Sequence, residues 1–185
     1  MLGDSRTVML NNPNFGKYQS MNLGLSGARI STLMTYTRYQ IPYFVPGLDA
    51  IVLNIGINNA PITQTDTEFL SFAGDYLQLV EALQGFGLPV ILSTIVPYET
   101  ASPNMASNTL TQPALTYAPI IANFNAAIAS IAVAQKCPLV DLAAFTSRED
   151  GTSLTGMTVD GTHYSASGSA IILALLNNGV METLG

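Results

Sequence analysis

The chain carries one cysteine, one histidine and little charge, and each scarcity removes a class of explanation. Cys137 stands alone, so no intrachain disulfide can form and no thiolate cluster can hold a metal. It lies just before the apolar pair Leu139-Val140 and reads as a buried, inert thiol. With His163 as its only histidine, the chain has too few ligands for a structural zinc site, and no metal site of that kind is expected. The six basic residues, Arg6, Lys17, Arg29, Arg38, Lys136 and Arg148, are scattered, and the net charge is −6. A nucleic-acid partner is therefore not expected. Charged residues make up only 10% of the chain against 48% hydrophobic, a balance that excludes disorder. No uninterrupted run approaches the roughly 20 apolar residues of a membrane span. No signal peptide opens the chain, although a mature secreted protein would have lost one. Scarce lysine beside abundant Asn, Thr, Ser and Ala points to an extracellular or virion setting. At 185 residues the simplest organisation is one domain over 1–185, large enough for a substantial core, with the oligomeric state left open.

What is present alternates between two kinds of pattern. Ala50 to Gly56, Leu88 to Val96 and Pro138 to Leu142 are short apolar runs rich in branched residues, as buried parallel strands are. Between and after them lie helical periods. Asp66 to Gln84 spaces its apolar residues by three and four and stops at Gly85; Tyr117 to Lys136 places Phe124, Ile128 and Ile131 on one face; Ser165 to Asn178 has a serine cap and Gly179 as its stop. Alternating strands and helices predict an α/β fold with a parallel sheet, whose chemistry collects beyond the carboxyl ends of the strands. Only Met1 and Leu2 precede Gly3, so the first strand is either stunted or cut from a longer protein. The stretch Pro97 to Thr116 has no period and three prolines, and reads as a substrate-facing wall.

Four short segments carry the chemistry. Gly3-Asp4-Ser5 offers a nucleophile, and His163 is the side chain suited to take its proton near neutral pH. Asp160, three residues before His163, can fix the imidazole's tautomer and steady the imidazolium. Asn22-Leu23-Gly24-Leu25-Ser26-Gly27 and Gly56-Ile57-Asn58-Asn59 can supply donors to an oxyanion. In this order the segments resemble the four blocks of the SGNH, or GDSL-type, hydrolase family, and they span Gly3 to His163. The resemblance implies a flavodoxin-like, three-layer α/β/α sandwich with a mostly parallel central sheet and cofactor-free ester hydrolysis. It implies Ser5 as nucleophile, His163 as base and Asp160 as its partner, with the amides of Ser5 and Gly24 and the side chain of Asn58 as the oxyanion hole. The chain departs from the family pattern at Asn59, where Asp is usual, and at Arg6, where an apolar residue is usual.

Several residues compete for these roles. Ser26 sits in Gly24-Leu25-Ser26-Gly27-Ala28, a near miss to the nucleophile elbow of larger α/β-hydrolases, but Ala28 replaces its last glycine and no strong strand leads into it. Asp141 is a rival carboxylate. Tyr18, Tyr36, Tyr39, Tyr43 and Phe44 are candidates for an acyl or sugar pocket, with core packing the expected place for most of them. Low charge and an Asn/Thr/Ser-rich loop favour a short acyl group, acetyl foremost, on a carbohydrate or small alcohol. The alternatives are a lipase or thioesterase for longer chains, or a non-catalytic carbohydrate-binding or virion-associated domain on the same scaffold.

Overall fold

Three of the five central strands stand where branched apolar runs predict them. In the computed structural model, which describes residues 1–63, 65–100 and 113–185, these are β5 (Ile51–Asn54), β6 (Val90–Ser93) and β7 (Leu139–Val140). The others are β1 (Leu2–Gly3) and β4 (Leu23–Gly24), each only two residues long. The sheet order is β4-β1-β5-β6-β7 with every pairing parallel. Counted along this sheet the strands run 2-1-3-4-5, the flavodoxin-like order, whose switch point lies beside the first strand. A separate antiparallel hairpin, β2 (Asn14–Phe15) and β3 (Tyr18–Gln19), lies outside it.

Alternation along the strands divides the core into two. Ile51, Leu53, Val90 and Leu92 join one cluster, while Val52, Ile91 and Val140 join the other, because successive side chains leave opposite faces of a sheet. The first cluster is filled by α2 (Ile30–Tyr39), α3 (Asp66–Gln84) and α4 (Ala114–Gln135), through residues such as Leu33, Tyr76, Leu79, Phe124 and Ile128. The second is filled by α6 (Ala166–Leu184), through Ile172, Leu176 and Val180, and by Phe15 of the hairpin. Two helix layers on a parallel sheet make the expected three-layer α/β/α sandwich. Two short helices follow strands: α1 (Ser5–Met9) after β1 and α5 (Leu142–Thr146) after β7.

The helix boundaries show which local signals prevailed. α3 has the expected span; the Thr65 hydroxyl accepts from the Glu68 amide, and the Glu68 carboxylate accepts from the Thr65 amide, a reciprocal cap. α6 starts as expected, with Ser165 Oγ accepting from the Gly168 amide, but Gly179 does not stop it. A Cβ at Gly179 would come within 2.2 Å of Val140 Cγ2. That glycine allows helix and strand to touch, and the helix continues to Leu184. α4 begins at Ala114, three residues before Tyr117, and ends at Gln135 with Lys136 left-handed at φ 54°. The substrate-facing wall expected over 97–116 falls mostly on 101–112, outside the described residues.

Among the described residues α4 is long and apolar enough to cross a membrane by length and composition, contrary to the sequence expectation. Here it is a core helix: Tyr117, Ile121, Phe124 and Ile128 are buried, and the Asn125 side chain bonds both the N–H (2.7 Å) and the carbonyl (2.9 Å) of Ile95. None of the five aromatics offered for a pocket is fully buried. Tyr18, Tyr36 and Phe44 are half-buried, and Tyr39 and Tyr43 are exposed. Cys137 is half-buried beside Gln84, and burial pushes its thiol up, towards the unreactive protonated form.

Candidate active site

Ser5 is the first residue of α1, directly past the carboxyl end of β1. Asp4 caps that helix: its Oδ1 accepts from the Arg6 amide at 2.9 Å. The cap fixes the turn that presents Ser5, which is 8% exposed. His163 comes from the loop between α5 and α6. Its Nε2 lies 3.1 Å from Ser5 Oγ, and its Nδ1 lies 2.7 Å from Asp160 Oδ2. The sequence separations are 158 and 3 residues, so only folding unites the first pair, while one loop turn builds the second.

Asp160 is held from several directions. Its Oδ1 accepts from the amides of Thr162 (3.0 Å) and His163 (2.7 Å). Burial pushes this carboxyl up, but the His163 ring and the two amides outweigh it and hold the group below its ordinary value. An ionised Asp160 on Nδ1–H leaves Nε2 as the acceptor facing Ser5 Oγ. The rivals are placed elsewhere. Asp141 Oδ1 accepts from Thr94 Oγ1 and caps α5 through the Ala144 amide. Ser26 is exposed on the loop after β4, and the chain's one histidine is already engaged at Ser5.

The structure alters the expected oxyanion hole. The Gly24 amide donates to Asn22 Oδ1 at 2.9 Å, and is therefore not the free donor expected of it. Gly24 is needed for a different reason: a Cβ there would come within 2.6 Å of the Val8 backbone nitrogen, so β4 can lie against α1 only without one. Asn22 completes that contact by donating Nδ2 to the Thr7 carbonyl at 2.6 Å. Gly27, further along the same loop, is exposed at φ 72°. Asn58 lies beyond β5, and its Nδ2 donates to the Ala28 carbonyl at 3.0 Å, leaving its second amide hydrogen over. Asn59 Oδ1 accepts from the Ile30 amide at 3.3 Å and so caps the start of α2 from a distance.

Three charged residues around this site are buried, a placement not expected from the sequence. Burial pushes the Asp4 carboxyl up to about 6, against the pull of the Arg6 guanidinium and amide. Arg6 is 1% exposed; its Nε donates to Thr162 O (2.7 Å), one Nη to Val96 O and the other to Pro97 O (3.4 Å). Glu99, equally buried, accepts from the amides of Gly156 (2.6 Å) and Thr158 (2.7 Å) and from Thr158 Oγ1 (2.8 Å). The available signals were an Asp directly before a helix start, an Arg where the family has an apolar residue, and one acid closing the apolar run Ile95 to Tyr98.

A parallel sheet in 2-1-3-4-5 order between two helix layers, with a hydrogen-bonded Ser–His–Asp line beside its switch point, defines the molecule as an α/β/α sandwich protein. The chain belongs to the GDSL-like Lipase/Acylhydrolase family, whose model matches residues 2–171. Among solved structures it is similar to a protein of Bacteroides fragilis described as an acylhydrolase, with TM-score 0.80, 22% identity, and coverage of 100% of this chain and 86% of that one. It is also similar to a GDSL-like lipase from Bacteroides thetaiotaomicron, with TM-score 0.78, 21% identity, and coverage of 99% and 87%. An acetyl xylan esterase, AlAXEase, gives TM-score 0.73 at 18% identity, with 96% of each chain covered. A search of curated protein sequences finds no match.

Proposed function

We propose that this chain is a serine carboxylic ester hydrolase acting through Ser5, His163 and Asp160 without a cofactor. The observation that carries the reading is the line from Asp160 Oδ2 through both ring nitrogens of His163 to Ser5 Oγ, at 2.7 and 3.1 Å. Ser5 Oγ attacks the acyl carbon as His163 Nε2 takes its proton, and Asp160 steadies the imidazolium. The tetrahedral intermediate collapses to an acyl-serine, and the alcohol leaves with the proton from Nε2. Water then attacks the acyl-serine in the same manner, returning Ser5 and releasing the acid. The oxyanion is assigned to the Ser5 amide, which at the start of α1 has no intrahelical acceptor, and to the remaining hydrogen of Asn58 Nδ2. The donor from the loop after β4 is assigned to Gly27 in place of Gly24, whose amide Asn22 occupies. Gly27 directly precedes Ala28, the residue that Asn58 holds.

Short acyl groups, acetyl foremost, on a carbohydrate or small alcohol are the substrates proposed. Low charge and a polar loop composition support this, as does the acetyl xylan esterase among the similar structures. A cavity lined by Met1, Leu2, Phe15, Gln19, Asp49 and Ile51 lies at the amino ends of the strands, and Ser5 is not part of it. The test is a fluorophosphonate probe together with a p-nitrophenyl ester series from acetate to palmitate. The probe is expected to label wild type and not Ser5→Ala, and Ser5→Ala is expected to remain folded without activity. Rates are expected to fall as the acyl chain lengthens. A maximum at long chains would make the protein a lipase or thioesterase, and failure of labelling would favour the non-catalytic binding domain.

A further inference from the structure

The guanidinium next to the nucleophile is buried and donates its hydrogen bonds to carbonyls, with the Asp4 carboxyl near enough to feel its charge but not hydrogen-bonded to it. Arg6 follows Ser5 in α1, so its position is tied covalently to the nucleophile. It bonds the carbonyl of Thr162, immediately before His163, and its guanidinium carbon lies 5.2 Å from the ring centroid of Tyr164, immediately after it. On the other side it bonds the carbonyls of Val96 and Pro97, past the end of β6, and lies 5.7 Å from the Tyr98 ring. One side chain thus touches both chain neighbours of His163 and the segment that leads to Glu99.

Stability alone does not account for such a group. Removing an ion from water costs several kcal/mol, and a buried charge can often be replaced by apolar side chains of similar volume without loss. Among the described residues Arg6 has no carboxylate within ion-pair distance. What an apolar side chain could not supply is direction. The planar guanidinium fixes its donors in a fork, and here the fork joins the nucleophile's helix to two loops. The 3.1 Å contact between Nε2 and Ser5 Oγ depends on the height of the His163 loop, and a misplacement of about 1 Å at a reacting centre costs about 100-fold in rate.

We propose that Arg6 is a positioning residue: its guanidinium, bonded to the carbonyls of Val96, Pro97 and Thr162, holds the His163 loop at hydrogen-bonding height over Ser5. The inference rests on the assignment of Ser5 and His163 as nucleophile and base. It is tested with Arg6→Gln and Arg6→Lys beside wild type and Ser5→Ala. Three quantities are measured: kcat and KM on p-nitrophenyl acetate, the folded fraction, and the imidazole ¹H–¹⁵N spectrum, in which a single histidine gives a single ring. For folded Arg6→Gln, kcat is expected to fall at least 30-fold with KM within threefold. The Nδ1–H signal of His163 is expected to broaden or vanish, while Ser5→Ala retains it. Arg6→Lys should fall between Arg6→Gln and wild type, because an ammonium cannot bridge both loops as the fork does. A folded Arg6→Gln with kcat within threefold of wild type and an unchanged ring spectrum overturns the proposal. So does a loss of kcat that merely follows the unfolded fraction. Should Arg6→Gln not fold, Arg6→Lys decides: wild-type kcat and ring signals in it overturn the proposal equally. Persistent activity in Ser5→Ala would sink the nucleophile assignment instead, and the ring spectrum, which needs no turnover, would still judge Arg6.

Discussion

Asn58 and Asn59 are neighbours in sequence, yet their side chains have separate tasks. Asn58 Nδ2 holds Ala28 O, while Asn59 Oδ1 caps α2 at Ile30. Asn58→Ala is therefore expected to lower kcat by roughly 100- to 1,000-fold with a smaller change in KM, as for a donor used mainly in the transition state. Asn59→Ala is expected to cost about 1 kcal/mol of stability, the worth of a helix cap, and less than about tenfold in kcat. Steady-state kinetics and denaturant melts on both variants check this, and the larger kcat loss in Asn59→Ala would move the donor by one residue. At this scale the sequence was legible where reactive groups are scarce. One histidine, with an aspartate three residues before it and an early Gly-Asp-Ser, leaves few ways to assemble a relay. Gly24 was not legible, because the fate of its amide depends on where the Asn22 side chain points. Arg6 and Glu99 were not legible as buried residues, because a charge leaves water only where a particular set of carbonyls or amides meets it.

The elements repeat this division. α3 could be read to the residue because its signals are local: a clear apolar period from Asp66 and Gly85 at its end. α2 was missed. It is rich in Thr and Tyr, and its buried residues, Ile30, Leu33 and Thr37, form only a narrow stripe. β4 has no legible pattern, because two residues carry no period. α6 runs past its expected end because a glycine near a helix end looks like a stop, while here its missing side chain makes room for Val140. Gly179→Ala sets two effects against each other. Ala improves helix propensity by about 1 kcal/mol. Overpacking against a stiff, β-branched valine costs typically about 1–3 kcal/mol. The contact at 2.2 Å is severe enough that the second effect is expected to win, with a net loss in thermal melts. A gain in Tm would mean that α6 can shift away from β7 at little cost.

For the molecule as a whole, pH is the informative variable. Asp4 is raised to about 6 in the folded state against 3.8 for its ordinary value, so the folded protein binds more protons between these pH values. Its contribution to stability is present below about 4 and is lost as pH rises through about 6, a cost of roughly 3 kcal/mol at about 1.4 kcal/mol per pKa unit. Asp4→Asn keeps an acceptor for the Arg6 amide and removes the ionisation. The variant is expected to be the more stable by up to about 3 kcal/mol at pH 7.5, with the difference closing towards pH 4 in urea melts. A difference that does not change with pH would mean that Asp4 does not titrate in this range. Asp160 acts with the opposite sign: its lowered carboxyl contributes stability above its unfolded value, and this is lost as pH falls through the folded one.

By itself the sequence determined the α/β class, the parallel strand runs, the span of α3 and the pairing of Asp160 with His163 on one loop. All of these follow from signals within about twenty residues: apolar period, caps, and scarce side chains in short motifs. Tertiary structure alone decided what depends on approach between distant segments. It set β4 beside β1, gave Gly179 to a helix–strand contact, took the Gly24 amide for Asn22, and placed Arg6 and Glu99 inside the loops around His163. Local propensity acts along the chain, whereas burial and hydrogen-bond satisfaction act through space. The partners that decide those matters are too far apart in sequence for any local pattern to record them.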